Sequence, residues 1–422
     1  MKKIVVIGGG WSGCAASLVA AKKGCKVVLL ERTDMLLGTG LVGGIMRNNG
    51  RFTAAEELIA MGGGELFQIT DSVARHKNID FPGHKHATLY DVAKIEPAVR
   101  KLLNETGIDI RLTTRAKDVK MDHDKIVSII TDDVEEIEGD VFVETTGTAG
   151  PMGNCAKYGN GCAMCIIRCP SYGPRVSIAE RAGVKEMMGK KKDGSIGAMS
   201  GSCKLLKESL SDEIVKQLNE KGVAVIPVPK KLQKEDALSK KACQQYALKE
   251  FAENIVLLDT GHAKLMSPFY PLEILRTIPG FENARYEDPY AGNKGNSIRY
   301  LAISPRNNKL QTEGVKNLFC GGEKAGPLVG HTEAIVTGTL AGYNASKLAK
   351  GEEPIELPVE LAIGDAIAYV GEQIKSEEGL TNKYTFSGSV YFERMKAKGL
   401  YTIDIAAIKD RVNKSGMANI FS

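Results

Sequence analysis

The sequence predicts an α/β fold: a parallel-sheet domain split by an inserted α+β domain and followed by a helical C-terminal region. Three observations predict it. A strand, a glycine turn, a helix and a second strand follow one another from Lys3 to Glu31. A further strand, glycine turn and helix recur between Val315 and Leu348, and a long stretch of different patterning separates the two. At ~150 residues per domain, the 422 residues allow two to three domains. With 43% hydrophobic and 25% charged residues, a large core is expected and wholesale disorder is not. Aromatics make up only 6%, with one Trp, which weighs against a surface built mainly for stacking bases or sugars. Glycine is in excess at 46 residues, against a usual share of ~7%. It follows no period, so it belongs in tight turns where backbone approaches a ligand.

Each element has a local reason. Lys3 to Ile7 (KIVVI) is a β-branched run suited to a buried parallel strand. It enters Gly8-Gly9-Gly10-Trp11-Ser12-Gly13, which fits G-x-G-x-x-G. Cys14 to Lys23 is Ala-rich and helix-compatible, with Gly24 as its stop. Lys26 to Leu30 (KVVLL) is the second strand and ends at Glu31, 18 positions beyond Gly13. This is a complete Rossmann-like βαβ unit. Gly8 permits the tight turn, Gly10 admits a pyrophosphate, and Gly13 lets helix pack on sheet. Trp11 and Ser12 open the helix, whose free N–H groups and dipole face the phosphates. Glu31 is placed to accept hydrogen bonds from the adenosine ribose. Dinucleotide binding is therefore expected.

After Glu31 the chain runs through Arg32 into a glycine-rich loop containing Gly40, Gly43 and Gly44 rather than into a prompt third strand. That pattern resembles the large FAD-dependent oxidoreductases, in which this loop lies along the ribityl chain and isoalloxazine, so FAD is the expected dinucleotide. Ile108 to Leu112, Ile126 to Thr131 and Asp140 to Thr145 read as further strands. The last enters Thr146-Gly147-Thr148, like the turn that meets the dinucleotide again in FAD proteins. No second G-x-G-x-x-G unit follows, so a separate nicotinamide domain is not expected. Val315 to Cys320 leads into Gly321-Gly322-Glu323 and on to Gly330-His331-Thr332-Glu333-Ala334, with a helix from Ala334 to Leu348. Its N-terminal N–H groups are expected at the flavin pyrimidine end. The expected division is a first part of the FAD-binding domain at 1–150 and an insertion at 151–310. The second part of the FAD-binding domain follows at 311–350 and the helical region at 351–422.

Four stretches carry a closer resemblance: Ile278-Pro279-Gly280-Phe281-Glu282-Asn283-Ala284, Asn317 to Glu323, Gly338-Thr339-Leu340-Ala341-Gly342-Tyr343-Asn344-Ala345, and Leu361 to Ile367. With the N-terminal unit, the chain resembles the folate- and FAD-dependent tRNA uracil-5 methyltransferases and the glucose-inhibited division protein A family. The likeness covers about the first 150 residues and residues 270 to 370. It implies FAD as cofactor and tRNA as a partner to test. One departure stands out: the methyltransferases carry a catalytic Cys shortly after the first βαβ unit, where Gly40 to Ile45 offers glycine.

Cys155, Cys162, Cys165 and Cys169 fall in one short segment spaced C-x6-C-x2-C-x3-C, with Pro170 after them. A chain of the reducing cytoplasm does not normally use such a cluster for disulfides. The C-x2-C-x3-C-P portion matches the end of a bacterial ferredoxin run, so a [4Fe–4S] cluster is expected, with zinc as the alternative. Cys14, Cys25, Cys203, Cys243 and Cys320 are isolated.

Among other candidates, His331 lies in the glycine turn and can bond flavin or relay a proton, or simply pack. His84 and His86 read as a solvated turn, and Arg47, Asn48 and Asn49 as flavin contacts or surface. Residues 203–221 read as an amphipathic helix with Leu210, Ile214 and Leu218 inward. Net charge is +5 with a pI near 8.5, below the footprint of a dedicated nucleic-acid domain. No apolar run is long enough to span a membrane, and the glycine turn breaks the signal-peptide-like start, so a cytoplasmic protein without a membrane partner is expected.

The leading expectation is an FAD-dependent oxidoreductase whose [4Fe–4S] cluster passes single electrons to or from the flavin. A small-molecule or electron-carrier protein would be its redox partner, and NAD(P)H a candidate donor. The alternative is a tRNA-modifying flavoenzyme, and the third reading is a non-catalytic FAD and zinc scaffold.

Overall fold

Lys3–Ile7 is the middle strand of a five-stranded parallel sheet ordered Leu318–Cys320, Val141–Glu144, Lys3–Ile7, Lys26–Leu30, Asp109–Arg111. Val5 pairs with Val28 on one side and Phe142 on the other. The computed structural model describes residues 1–147, 169–200, 203–240, 243–287 and 297–422. Ile4, Val5 and Val6 have no solvent exposure, which is why this strand is a continuous apolar run rather than an alternating one. Each such side chain contributes about 1.5–3 kcal/mol by leaving water.

Both faces are covered. Helices Trp11–Lys22 and His331–Ala349 pack on one face and against each other. Their approach depends on glycine: a Cβ added at Gly342 would lie 2.5 Å from the Ala16 Cα, and one at Gly338 would lie 2.7 Å from the Ser12 Cα. Gly342→Val is therefore expected to force the helices apart and lower stability by about 1–3 kcal/mol in thermal unfolding. The other face is covered by the antiparallel strands Ala116–Asp122, Lys125–Thr131 and Glu136–Glu138 and by Ile178–Arg181.

Between Val141–Glu144 and Leu318–Cys320 the chain builds an antiparallel sheet ordered Cys203–Leu205, Ala263–Leu265, Asn254–Asp259, Val223–Pro227. The helix expected over 203–221 is shorter. Cys203–Leu205 joins the sheet, and the helix is Asp212–Lys221. Ser211 caps it by accepting from the Ile214 N–H, and Gly222 ends it in a left-handed conformation (φ 74°). Leu210, Ile214 and Leu218 are buried as the apolar spacing requires.

A third small sheet joins Ile45–Met46, His84–Tyr90 and Ala74–Phe81. The C-terminal helices Ala362–Gln373, Glu377–Thr381, Ser389–Ala397 and Ile405–Lys414 bury apolar side chains against the main core. The buried Glu57 carboxylate ties them down, accepting from the N–H groups of Ala362 (2.9 Å) and Ile363 (3.0 Å) and pairing with Arg411 (2.9 Å). Among the described residues no helix is long and apolar enough to cross a membrane.

Candidate functional site

The C-terminal ends of the central strands open into one cleft of about 1710 Å³, counting its open mouth. Open parallel sheets place their ligands there. Gly8 holds φ +103°, and a side chain on it would strike the Thr145 carbonyl. Among the described residues, a Cβ added at Gly10 would meet nothing within 4 Å, so the backbone there faces open space. Trp11 is the first helical residue, and its N-cap Gly10 offers no side-chain cap. The first N–H groups of that helix therefore lack intrahelical acceptors. Ser12 Oγ, buried beside them, has no hydrogen-bond partner. A pyrophosphate would fill the open space and satisfy both.

Glu31 is buried at the next strand end. Its Oε2 accepts from the Gly9 N–H (2.8 Å), and its Oε1 from the Thr33 N–H (2.8 Å) and Oγ1 (2.9 Å). A carboxylate has about four lone-pair sites, so one stays available to a ribose hydroxyl. Arg32 donates to the Gly173 carbonyl and Arg115 Nε to the Pro174 carbonyl (2.7 Å), which fixes the chain where Arg175 and Val176 line the cleft.

At the far end, Gly322, Glu323, Gly330, His331 and Ala334 line the cleft. Gly322 (φ +64°) donates its N–H to Thr337 Oγ1 at 2.8 Å. His331 is the first residue of its helix rather than part of the preceding loop. Its ring packs 6.1 Å from Trp11 and 6.4 Å from Tyr90, with Nδ1 3.5 Å from the Tyr90 hydroxyl. Burial pushes the Tyr90 phenol up, so it keeps its proton and donates to the Gly40 carbonyl at 2.7 Å.

The third wall comes from residues remote in sequence. Lys264, on the inserted sheet, is buried and donates to the Val42 carbonyl. Half-buried Cys243 and buried Gln245 and Tyr246 complete this side. Sequence reasoning missed all four, because Lys264 arrives on a strand of the inserted sheet and Cys243, Gln245 and Tyr246 on a short turn that packs against His84.

The expected site residues Gly8, Gly10, Trp11, Ser12, Glu31 and Arg32 line the cleft together with Gly43, Gly147, Gly322, Glu323, Gly330, His331 and Ala334. Four others stand behind it. Gly13 presses on the Gly8 carbonyl, and Gly40 on the Trp11 indole. Thr332 is fully buried and donates to Met46 Sδ at 3.8 Å. Glu333 turns away into an ion pair: Arg51 Nε reaches both its oxygens at 3.1 Å, and Oε1 also accepts from Thr385 Oγ1 (2.7 Å) and the Phe386 N–H (2.9 Å). Gly43 must be glycine, because the His331 imidazole occupies the space a Cβ would need.

Arg47 also turns from the cleft, pairing with Asp71 (2.8 Å) and with Glu56 at 2.5 Å. Asn48 and Asn49 serve His84, and here the expectation of a solvated turn is corrected. His84 lies in a strand at 1% exposure, stacked on Phe81. Its Nδ1 accepts from Asn48 Nδ2 (2.9 Å) and its Nε2–H donates to the Gln245 carbonyl (3.0 Å). Burial lowers its pKa from the ordinary 6.5 to about 3. The unfolded chain takes up the proton first as pH falls, so the stability His84 supplies is full above pH 6.5. Below that it is lost at up to about 1.4 kcal/mol per pH unit. His84→Gln is expected to flatten this slope in urea unfolding compared between pH 7 and pH 5.

Cys155, Cys162 and Cys165 lie outside the described residues, and Cys169 opens the short helix Cys169–Tyr172. Among the described residues no group of His, Cys, Asp and Glu is placed to hold a metal ion.

Fold and cleft together define an α/β protein of the dinucleotide-binding class. The chain belongs to the glucose-inhibited division protein A family, whose model matches residues 3–266 and 266–353. It is similar to methylenetetrahydrofolate–tRNA-(uracil-5-)-methyltransferase of Enterococcus faecalis, 38% identical over 100 residues that make up 23% of this chain and 22% of that protein. The corresponding enzyme of Lysinibacillus sphaericus is 33% identical over 100 residues, 24% of this chain and 22% of its own length. The matched part is thus about a fifth of these curated relatives (22%). In fold the chain is similar to Aquifex aeolicus GidA in two crystal forms, with TM-scores of 0.67 and 0.61 at 17% identity. Those matches cover 98% of this chain and 76% and 78% of that protein.

Proposed function

We propose that the protein binds FAD in this cleft and uses it to modify a uridine of tRNA. One observation carries the reading: the dinucleotide turn and the wall bearing Cys243, Gln245 and Lys264 face a single cleft. Family membership and the tRNA-(uracil-5-) activity named for the bacterial relatives support the substrate class. They favour this reading over the iron–sulfur oxidoreductase.

The residues present fit FAD. Glu31 would hold the adenosine ribose, and Ser12 with the first N–H groups of its helix the pyrophosphate. Gly322, Gly330 and the start of the helix at His331 would hold the pyrimidine end of the ring. Bound FAD supplies the two-electron chemistry. His331 is the titratable group at the ring end, placed to hold or pass a proton while Tyr90 stays protonated. Cys243 is the thiol of the opposite wall, able as thiolate to add to a base carbon. Lys264 favours an electron-rich substrate edge, Arg51 is held by Glu333 behind the wall, and the buried walls exclude water.

The test is binding of FAD and unmodified tRNA to the purified protein. Stoichiometric FAD is expected, with tRNA affinity that falls linearly in log salt. No flavin uptake, or tRNA binding no tighter than that of an unrelated protein of equal charge, contradicts the reading.

A second reading keeps the [4Fe–4S] cluster, with zinc as the alternative metal and NAD(P)H as a donor through the flavin. Both ends of the cysteine segment favour it, since Gly147 before it and Arg175 after it line the cleft. Anaerobic protein should then contain about four iron and four sulfide per chain; one zinc, or no metal, removes the electron-transfer reading.

A further inference from the structure

Gln245 presents a puzzle that the proposed reaction leaves unexplained. It is 3% exposed and lines the cleft, yet its buried Oε1 has no hydrogen-bond partner among the described residues. Buried polar atoms are overwhelmingly satisfied, and an orphaned acceptor is costly to keep. Its backbone is held firmly. The carbonyl accepts from His84 Nε2–H at 3.0 Å, and Gly388 packs so closely that an added Cβ there would lie 2.6 Å from the Gln245 Cβ. The backbone and Cβ of Gln245 are thus held at the wall, and its Oε1 is unpaired among the described residues.

Chemistry narrows that donor. The neighbouring cleft walls are flat or apolar: Tyr246, His331, Met266, Val329 and Ile45. Such walls suit a planar heterocycle. The buried cations Lys264 and Arg51 line the same cleft, which disfavours a cationic donor. A carboxamide sets an acceptor beside a donor, the complement of a ring N–H beside a ring carbonyl. We propose that Gln245 Oε1 accepts the N–H of a cyclic imide bound in the inner part of the cleft. Two ligands carry that group, the pyrimidine ring of the flavin and a uracil base. The uracil source rests on the proposed function.

The experiment compares wild-type protein with Gln245→Leu and Gln245→Glu, each as the full chain. FAD affinity is read by fluorescence. The reconstituted protein is then titrated with uridine 5′-monophosphate and with its N3-methyl analogue, which lacks the imide N–H. Gln245→Leu is expected to unfold no more easily than wild type, because it removes an unsatisfied acceptor. It should lose about tenfold in affinity for one imide, while Gln245→Glu keeps the acceptor but not the amide donor and should lose less. Weakened FAD binding assigns the acceptor to the flavin. Unchanged FAD binding with loss of the preference for the unmethylated nucleotide assigns it to the base. If Gln245→Leu matches wild type on both, or is markedly less stable without ligand, the inference is overturned. Wild-type protein that takes up FAD but never distinguishes the two nucleotides contradicts the uridine substrate instead, and the inference then stands or falls on FAD affinity.

Discussion

Glu333→Ala is expected to cost about 3–5 kcal/mol of folding stability, because it strands the buried Arg51 guanidinium without its counter-charge. The Arg51 and Glu333 side chains are 4% and 0% exposed. Glu333 also holds Thr385 and the Phe386 N–H, so the deletion releases the strap that joins the C-terminal region to the glycine turn. Arg51 in turn donates to the Val329 carbonyl at 3.2 Å, one residue before Gly330. Urea unfolding measures the loss directly. Glu333→Gln keeps an acceptor and should cost less. A Glu333→Ala protein of wild-type stability with weakened flavin binding would instead place the carboxylate on the cofactor.

Gly10→Leu has the opposite signature. Among the described residues nothing lies within 4 Å of a Cβ at this position, and its backbone (φ −67°, ψ −178°) suits any residue. The variant should therefore fold with wild-type stability. Its side chain would fill the space above the helix N-terminus where the pyrophosphate belongs. Affinity for FAD should fall at least about 100-fold, some 2.7 kcal/mol. An unchanged dissociation constant, measured by flavin fluorescence, would mean that the dinucleotide lies elsewhere.

The contrast between these two positions marks how far the sequence can be read. The place of Gly8, Gly10, Ser12 and Glu31 in the cleft was legible because their spacing is set within one βαβ unit. The strands at Lys3–Ile7 and Lys26–Leu30 were legible for the same reason, as continuous β-branched runs. Glu333 was not. Next to a glycine turn it reads as a helix-start ligand, and only the buried arginine 282 residues earlier in the chain turns it inward. His84 looked solvated beside Gly83 and His86, but Tyr246 packs 4.7 Å from its ring and the Gln245 carbonyl accepts its Nε2–H. Cys243, Gln245 and Lys264 carry no short-range motif at all. Lys264 reaches the cleft through antiparallel strand pairing, and Cys243 and Gln245 through a short turn packed on His84, neither of which a local pattern encodes.

The central claim is that this cleft joins FAD to a uridine of tRNA. Its most direct test is nucleoside mass spectrometry of tRNA from cells lacking the gene, set against cells complemented with wild type and with Gly10→Leu. The account predicts that one modified uridine disappears on deletion, returns with wild type and stays absent with Gly10→Leu. An unchanged nucleoside profile across all three would contradict it.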